Sequence, residues 1–263
     1  MYMYLPVSAF DLISSNPPCV QERFMWDCCG FLVIKQTMDP AWLAAANAAV
    51  DVYEPTVTPR GEPTTVEMLP DHSEEMVGGG QMQLTGQLTW PHPHCEPFRR
   101  MIAHPPLCRR LSWILGEGFR MDDARGLLVS AQGTSGHSLH SGPNVDAPAG
   151  GAPFALGYNN SVNVAWQMRD VPRSAGGFAA VPGSQRSQLT LPRERPTSID
   201  LPVCMHVPMH AGDCLVFLAG QVTHGAFRWN GPEHRRVCMH NYVPWQHADK
   251  GTFREPAPEA AKL

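Results

Sequence analysis

Between residues 125 and 243 the sequence alternates short apolar, β-branched runs with turns built on Gly, Pro, Asn and Asp, and few architectures accept such a chain. The runs fall at 125–132, 161–168, 178–182, 203–207, 213–218, 222–227 and 235–243. Strands at this spacing predict a β-sandwich or barrel. The 23 glycines and 26 prolines in 263 residues supply the turns, and 43 % apolar residues can fill a substantial core. A disordered chain or a coiled coil is thereby excluded.

The first third reads differently. Gly30-Phe-Leu-Val-Ile-Lys35 is a strand candidate, and Asp39-Pro40 then supplies an N-cap and an N1 proline for a helix over the Ala-rich stretch 41–50. Leu107, Leu111, Ile114 and Leu115 share one helical face, so 105–116 is predicted as a helix ended by Gly116 and Gly118. Residues 54–92 carry Pro55, Pro59, Pro63, Pro70 and Gly78-Gly79-Gly80 without a sustained period, which predicts a long surface loop. Its end, 81–90, is expected to form much of a pocket wall. The organisation expected is one domain over 1–263, with helical support in 1–120 and a β core in 121–245.

Composition narrows the partner. A net charge of -4 and a pI near 6.3 offer no basic stripe for a polyanion, so nucleic-acid binding by bulk charge is disfavoured and a small molecule is expected. No apolar run reaches the roughly eighteen residues of a membrane span, and the opening Met1-Tyr-Met-Tyr lacks the basic start and apolar stretch of a secretory signal. The expected location is intracellular and cytoplasmic. Ala261-Lys262-Leu263 is a conservative variant of a peroxisomal address, meaningful only in a eukaryotic source. The eight cysteines contain no C-x-x-C pair and read as small buried hydrophobes. Nothing in the sequence sets the oligomeric state.

Period-two alternation sorts the strands into faces. Val162, Val164, Trp166 and Met168 share one face, whereas Arg235, Val237, Met239 and Asn241 share a face against Arg236, Cys238 and His240. An arginine on an apolar-leaning face needs an anionic partner. Asn230-Gly231 predicts a hairpin, placing the strand of His224 antiparallel beside that of Arg235 and making the two residues neighbours.

The chemistry-bearing residues are His140 in His137-Ser-Leu-His140-Ser-Gly142, His224 in Thr223-His224-Gly225, and Arg235 eleven positions later. Two neutral imidazoles suit a metal such as Fe(II), and a guanidinium fork grips a carboxylate bidentately. Any one of twelve histidines is more often a surface or core residue than a ligand. Only the joint spacing raises these three above that background. His92 and His94 in Trp90-Pro-His-Pro-His94 look like a metal pair but have no third ligand nearby in sequence; a place at the substrate mouth is the other reading. Asp170 and Asp213 read as turn caps, and Ser184 lacks the context of a serine nucleophile.

Phe31-Leu-Val-Ile34, Gly136-His-Ser-Leu-His140, Val162-Asn-Val-Ala-Trp166-Gln-Met-Arg-Asp-Val-Pro172, Ala175-Gly-Gly-Phe178, Val181-Pro-Gly-Ser184, Ala211-Gly-Asp213, Thr223-His224-Gly225 and His234-Arg235-Arg236 together resemble the phytanoyl-CoA dioxygenase-like branch of the Fe(II)/2-oxoglutarate oxygenases. The resemblance implies a double-stranded β-helix, the cupin-like jelly roll, mostly β with flanking helices. It implies His140 and His224 as metal ligands, Arg235 as the anchor for the far carboxylate of 2-oxoglutarate, and dioxygen as co-reactant. Trp166 either stands where the family places an aromatic residue beside the cosubstrate or is a core tryptophan.

One departure bears directly on the chemistry. The family's usual motif is His-x-Asp, but the third position is Gly142, as in the radical halogenases of the superfamily. A metal without that carboxylate has an open position and one more unit of positive charge, which chloride can fill. The expected activity is oxidation of a C–H bond, with chlorination in place of hydroxylation as an open outcome. Asp146 folding back as a ligand, water filling the position, and loss of metal binding are the competing outcomes. Loss of metal binding would make the chain a non-catalytic binding module. Ala226, where relatives often carry a serine or threonine, thins the expected cosubstrate contacts.

Overall fold

The computed structural model describes residues 19–56, 66–68, 82–134, 136–140, 161–187 and 201–246. Its elements in chain order are α1 (Val20–Cys29), β1 (Phe31–Ile34), α2 (Pro40–Tyr53), β2 (Val66–Met68), β3 (Met82–Leu84), α3 (Glu96–Ile102), α4 (Pro105–Leu115) and β4 (Arg120–Ser130). These are followed by β5 (His137–His140), β6 (Val162–Gln167), β7 (Gly177–Ala180), β8 (Met205–His206), β9 (Cys214–Leu218), β10 (His224–Phe227) and β11 (Arg235–Val243). The larger sheet runs β1-β9-β6-β11-β4-β3-β2 and the smaller β5-β10-β7-β8. Every ladder is antiparallel, and two such sheets in a mostly β chain form the jelly roll.

The helices begin and end where the local chemistry directs. Asp39 Oδ1 accepts from the Trp42 amide at 2.8 Å and Pro40 opens α2, so the cap and the missing donor fall in the first turn. α4 spans the predicted turn-to-turn face and stops at Gly116. α1 and α3 were not anticipated from the sequence. α1 is largely polar and is held by a buried pair, Arg110 Nη2 donating to Glu22 Oε1 at 2.5 Å, rather than by a broad apolar stripe.

Register decides which face of the large sheet is inside. Trp166 lies opposite Cys238 and Cys214, and Met168 donates to the Arg236 carbonyl, so these residues share the face that meets the helices. There Trp166 packs 5.3 Å from the Trp42 ring and 5.8 Å from His104, and the Tyr242 hydroxyl donates to the Ile102 carbonyl at 2.9 Å. Arg236 reaches Glu54 Oε2 at 2.6 Å and Asn47 Oδ1 at 3.2 Å, tying β11 to α2. The opposite parity (Phe31, Phe217, Asn163, Val237 and Arg235) faces the smaller sheet. Phe178 of β7 meets Phe217 at 4.8 Å and Phe31 at 6.3 Å, an aromatic layer between the sheets.

Two expectations are corrected. Asn230-Gly231 is not a hairpin: β10 pairs with β5 and β7, β11 with β4 and β6, and residues 228–234 cross between the sheets. The crossing is pinned by the Trp229 amide on the Thr134 carbonyl, the Asn230 amide on the Ala175 carbonyl, and the Trp229 indole on the Glu233 carbonyl. Gly231 sits under that indole, where a Cβ would meet Trp229 Cζ2 at 2.3 Å, so it answers a close approach rather than a turn. The loop expected over 54–92 contains β2 and β3, which extend the large sheet beyond β4. The large sheet therefore takes three strands from the first 120 residues, which are more than helical support. Gly142, Asp146, the glycine triple 78–80 and the C-terminal tripeptide lie outside the described residues. No helix among the described residues is long and apolar enough to cross a membrane.

Candidate active site

The structure brings the two predicted histidines together. In the ladder between β10 and β5, His224 lies directly opposite His140, and their rings stand 4.2 Å apart between centroids. Between this pair and Ala226↔His137, β10 advances two residues and β5 three. That extra residue is a bulge, which re-aims side chains that a regular strand would send to opposite faces. His137 consequently comes beside His140, with its ring 4.4 Å from that of His140. Sequence periodicity had no means of finding this third imidazole, because only the register change places it there.

His224 is held in one orientation. Its Nδ1–H donates to the Val222 carbonyl at 2.8 Å, which leaves the lone pair on Nε2. The ring is packed by Phe217 at 4.7 Å and Phe178 at 6.0 Å and is buried, whereas His140 on the edge strand β5 is exposed. Ser184 supports the same segment from behind: its Oγ accepts from the Thr223 amide at 2.8 Å, a structural duty.

Arg235 faces the same interior from the opposite sheet. It is 8 % exposed, and a Cβ built at Gly177 of β7 would come within 3.3 Å of its Nε, so the glycine makes room for the guanidinium between the sheets. Nε is buried with no hydrogen-bond partner among the described residues. Burial lowers the guanidinium from its ordinary range to about 10. His206, absent from the sequence-based expectations, braces this corner: its Nε2 donates to the Gly176 carbonyl at 2.6 Å. Burial pushes its pKa down, with Arg235 and Arg173 adding to the effect against the Gly176 hydrogen bond. His206 is therefore a neutral brace at neutral pH.

His224 and Arg235 are thus not side-by-side hairpin partners; they stand on facing sheets. Trp166 is corrected as well. Its indole lies on the helix-facing side of the large sheet, of opposite parity to Arg235, which makes it a core tryptophan rather than a wall of this cavity. Ala226, two residues beyond His224 on β10, pairs with Phe178 and presents only a methyl. Of the expected wall 81–90, Leu84 and Trp90 are core residues, Trp90 stacking on Tyr53 at 4.0 Å. Asp213 caps turns as expected, accepting from the Gln36 and His210 amides at 3.0 and 2.8 Å, and Asp170 accepts from the Ala211 amide at 2.8 Å. His94 contacts the Tyr53 hydroxyl at 3.3 Å and His92 lies 3.1 Å from Glu96; neither belongs to the interior site.

The family model for phytanoyl-CoA dioxygenase (PhyH) matches residues 26–237, which span every residue of this site. The chain belongs to the PhyH family. The family is of the Fe/2-oxoglutarate-dependent oxygenase type, and similar solved structures share the fold of this PhyH chain. HygX from Streptomyces hygroscopicus, solved with nickel, 2-oxoglutarate and hygromycin B bound, is 16 % identical with a TM-score of 0.66, over 88 % of this chain and 89 % of that one. The epimerase SnoN, solved with Fe3+, alpha-ketoglutarate and nogalamycin RO, is 19 % identical with a TM-score of 0.55, over 89 % and 91 %. The non-heme alpha-ketoglutarate-dependent carbocyclase SnoK from nogalamycin biosynthesis is 17 % identical with a TM-score of 0.54, over 90 % and 85 %. No curated protein matches the sequence. An epimerase and a carbocyclase on one fold show that the architecture does not choose the reaction.

Proposed function

We propose that this PhyH chain binds Fe(II) through His140 and His224, anchors 2-oxoglutarate at Arg235, and oxidises a C–H bond of a small molecule within a single domain. The observation that carries the reading is the buried guanidinium of Arg235, whose Nε has no hydrogen-bond partner among the described residues, on the sheet that faces the one carrying the imidazole pair. A buried cation without a counter-charge is costly, and a dianionic cosubstrate is the kind of ligand that compensates it. The donor set fits the metal too, since His224 turns its Nε2 lone pair away from Val222 and toward the shared interior. When bound, metal and cosubstrate supply the oxidising power with dioxygen; the chain supplies position and dryness.

Each residue then has a duty. Arg235 fixes the far carboxylate, and Gly177 leaves room for it. Phe217 and Phe178 hold the His224 ring and keep water from its buried side. Gly142 offers no carboxylate, which supports a chloride-competent centre and chlorination over hydroxylation. Asp146 is the residue that would restore hydroxylation if it replaced the lost ligand. The substrate class proposed is a small molecule, as in the hygromycin B and nogalamycin RO complexes of the neighbours.

The test is anaerobically iron-loaded protein given 2-oxoglutarate, chloride and then dioxygen, with succinate measured by mass spectrometry. Succinate above the metal-free control is expected, and its absence would refute the oxygenase reading. Failure of the chain to bind Co(II) as a surrogate, even with 2-oxoglutarate present, would identify the non-catalytic binding module instead.

A further inference from the structure

A second group of metal-ligating side chains lies outside the interior, at the start of α3. His92, Cys95 and Glu96 bring one ligand atom each to within 4.8 Å of one another. His92 Nδ1 lies 3.1 Å from Glu96 Oε1, and Cys95 Sγ lies 3.7 Å from the same oxygen. Tetrahedral zinc bonds of about 2.0–2.3 Å place neighbouring donors about 3.3–3.7 Å apart, so the Cys95–Glu96 edge already matches, the 3.1 Å His92–Glu96 edge has to open by about 0.2 Å, and the His92–Cys95 edge has to adjust within the 4.8 Å that spans the group. The His92 and Glu96 side chains are 70 % and 56 % exposed while Cys95 is fully buried, an arrangement with an inner sulfur and an open outer side. Proximity in sequence does not reveal it, because His-x-x-Cys-Glu becomes a cluster only once the chain folds back at Pro93 into α3.

The geometry points to a second cation site, selective for a borderline-soft divalent metal, with Zn2+ held by His92 Nδ1, Cys95 Sγ and a Glu96 carboxylate oxygen and with water in the fourth position. Imidazole, thiolate and carboxylate together match zinc better than calcium or magnesium, which take oxygen ligands alone. Binding replaces the Cys95 thiol proton, which leaves to solvent, and no electron changes hands. The metal must displace the direct His92–Glu96 contact and compete with Arg99, whose Nη1 is 3.9 Å from the same Glu96 oxygen and whose Nε is committed to the Leu88 carbonyl at 2.8 Å. The site would clamp 92–96 beside the Tyr53–Trp90 stack, where His94 already meets the Tyr53 hydroxyl.

The site is independent of the interior pair and is told apart from it by sulfur. Metal-stripped full-length protein is titrated with Co2+ and the thiolate-to-cobalt charge-transfer band is followed, since the pair of His140 and His224 includes no thiolate. The band should appear and saturate by two equivalents, one for each proposed site, and excess Zn2+ should abolish it. The band should persist in a variant carrying both His140→Ala and His224→Ala, and should be lost in His92→Ala, whose exposed side chain can be removed without unfolding the protein. Cys95→Ser provides a second variant, with folding checked by circular dichroism. Absence of the band in the parent protein, its survival in His92→Ala, or its loss with the interior histidines would each overturn the proposal.

Discussion

Replacing Arg235 by methionine separates what the residue does for binding from what it costs the fold. A guanidinium lowered from its ordinary range to about 10 by burial carries about 3 kcal/mol of unfavourable desolvation in the folded chain. The folded value is depressed, so the charged form is the one burial disfavours. The penalty is therefore present at every pH below about 10 and would fade only as pH rose above that value toward the ordinary arginine range. Methionine keeps much of the stem's volume beside Gly177 and Val171 and removes the charge. Without cosubstrate, Arg235→Met should be more stable than the parent by about 1–3 kcal/mol, since apolar replacement of buried charges is commonly neutral to stabilising. With metal and 2-oxoglutarate present that advantage should shrink by the stabilisation the cosubstrate gives the parent. The parent should gain about 2.7 kcal/mol at a cosubstrate concentration a hundred times its Kd, and the variant should gain nothing. Urea unfolding with and without 2-oxoglutarate reads both quantities. A variant at least about 1 kcal/mol less stable than the cosubstrate-free parent would mean that Arg235 is a structural partner. Retention of the 2-oxoglutarate shift would mean that the anchor lies elsewhere.

His240 is fully buried with its Nδ1 unpartnered among the described residues, and burial lowers its pKa to about 4. Its contribution is present above about pH 6.5 and is lost as pH falls toward 4. Urea midpoints should show up to about 3 kcal/mol of acid destabilisation, which His240→Leu removes. Gly231→Ala forces a methyl into the Trp229 indole and should cost about 1–3 kcal/mol by thermal unfolding; an unchanged Tm would show that the crossing between sheets is looser than its hydrogen bonds indicate. Gly142→Asp should raise Fe(II) or Co(II) affinity at least about tenfold in a direct titration and abolish chloride-dependent changes in the visible spectrum. No effect on either would show that position 142 does not face the metal.

Much of this architecture was legible before any coordinates. The strand runs and the cap of α2 rest on local chemistry, alternation and the Asp39-Pro40 pair, which tertiary context did not override. The failure at Asn230-Gly231 has the opposite origin. A hairpin signal describes four or so residues, whereas the jump between sheets is decided by Trp229 seeking cover and by amides finding carbonyls at Thr134 and Ala175. α1 escaped because its stabilisation is a buried ion pair with a partner 88 residues away. Within the site, His140, His224 and Arg235 could be singled out by type and spacing. The sorting of β6 into faces was correct, but alternation alone does not say which face is inside, and Trp166 fell on the far one. His137 needed the bulge, and the His92–Cys95–Glu96 group needed the turn into α3.

Successive arginines on β11 serve opposite masters: 236 grips Glu54 and Asn47 on the helical side, and 235 reaches into the hollow. Because the pleat alternates strictly, a slip of one position would trade their roles, aiming one guanidinium at helix α2 and burying the other where nothing was shaped to receive it. The strand is consequently forgiving about composition and unforgiving about phase. Single insertions or deletions upstream of it, between Trp229 and Arg235, should be absorbed by the crossing, while the same change inside it would uncouple scaffold and chemistry together.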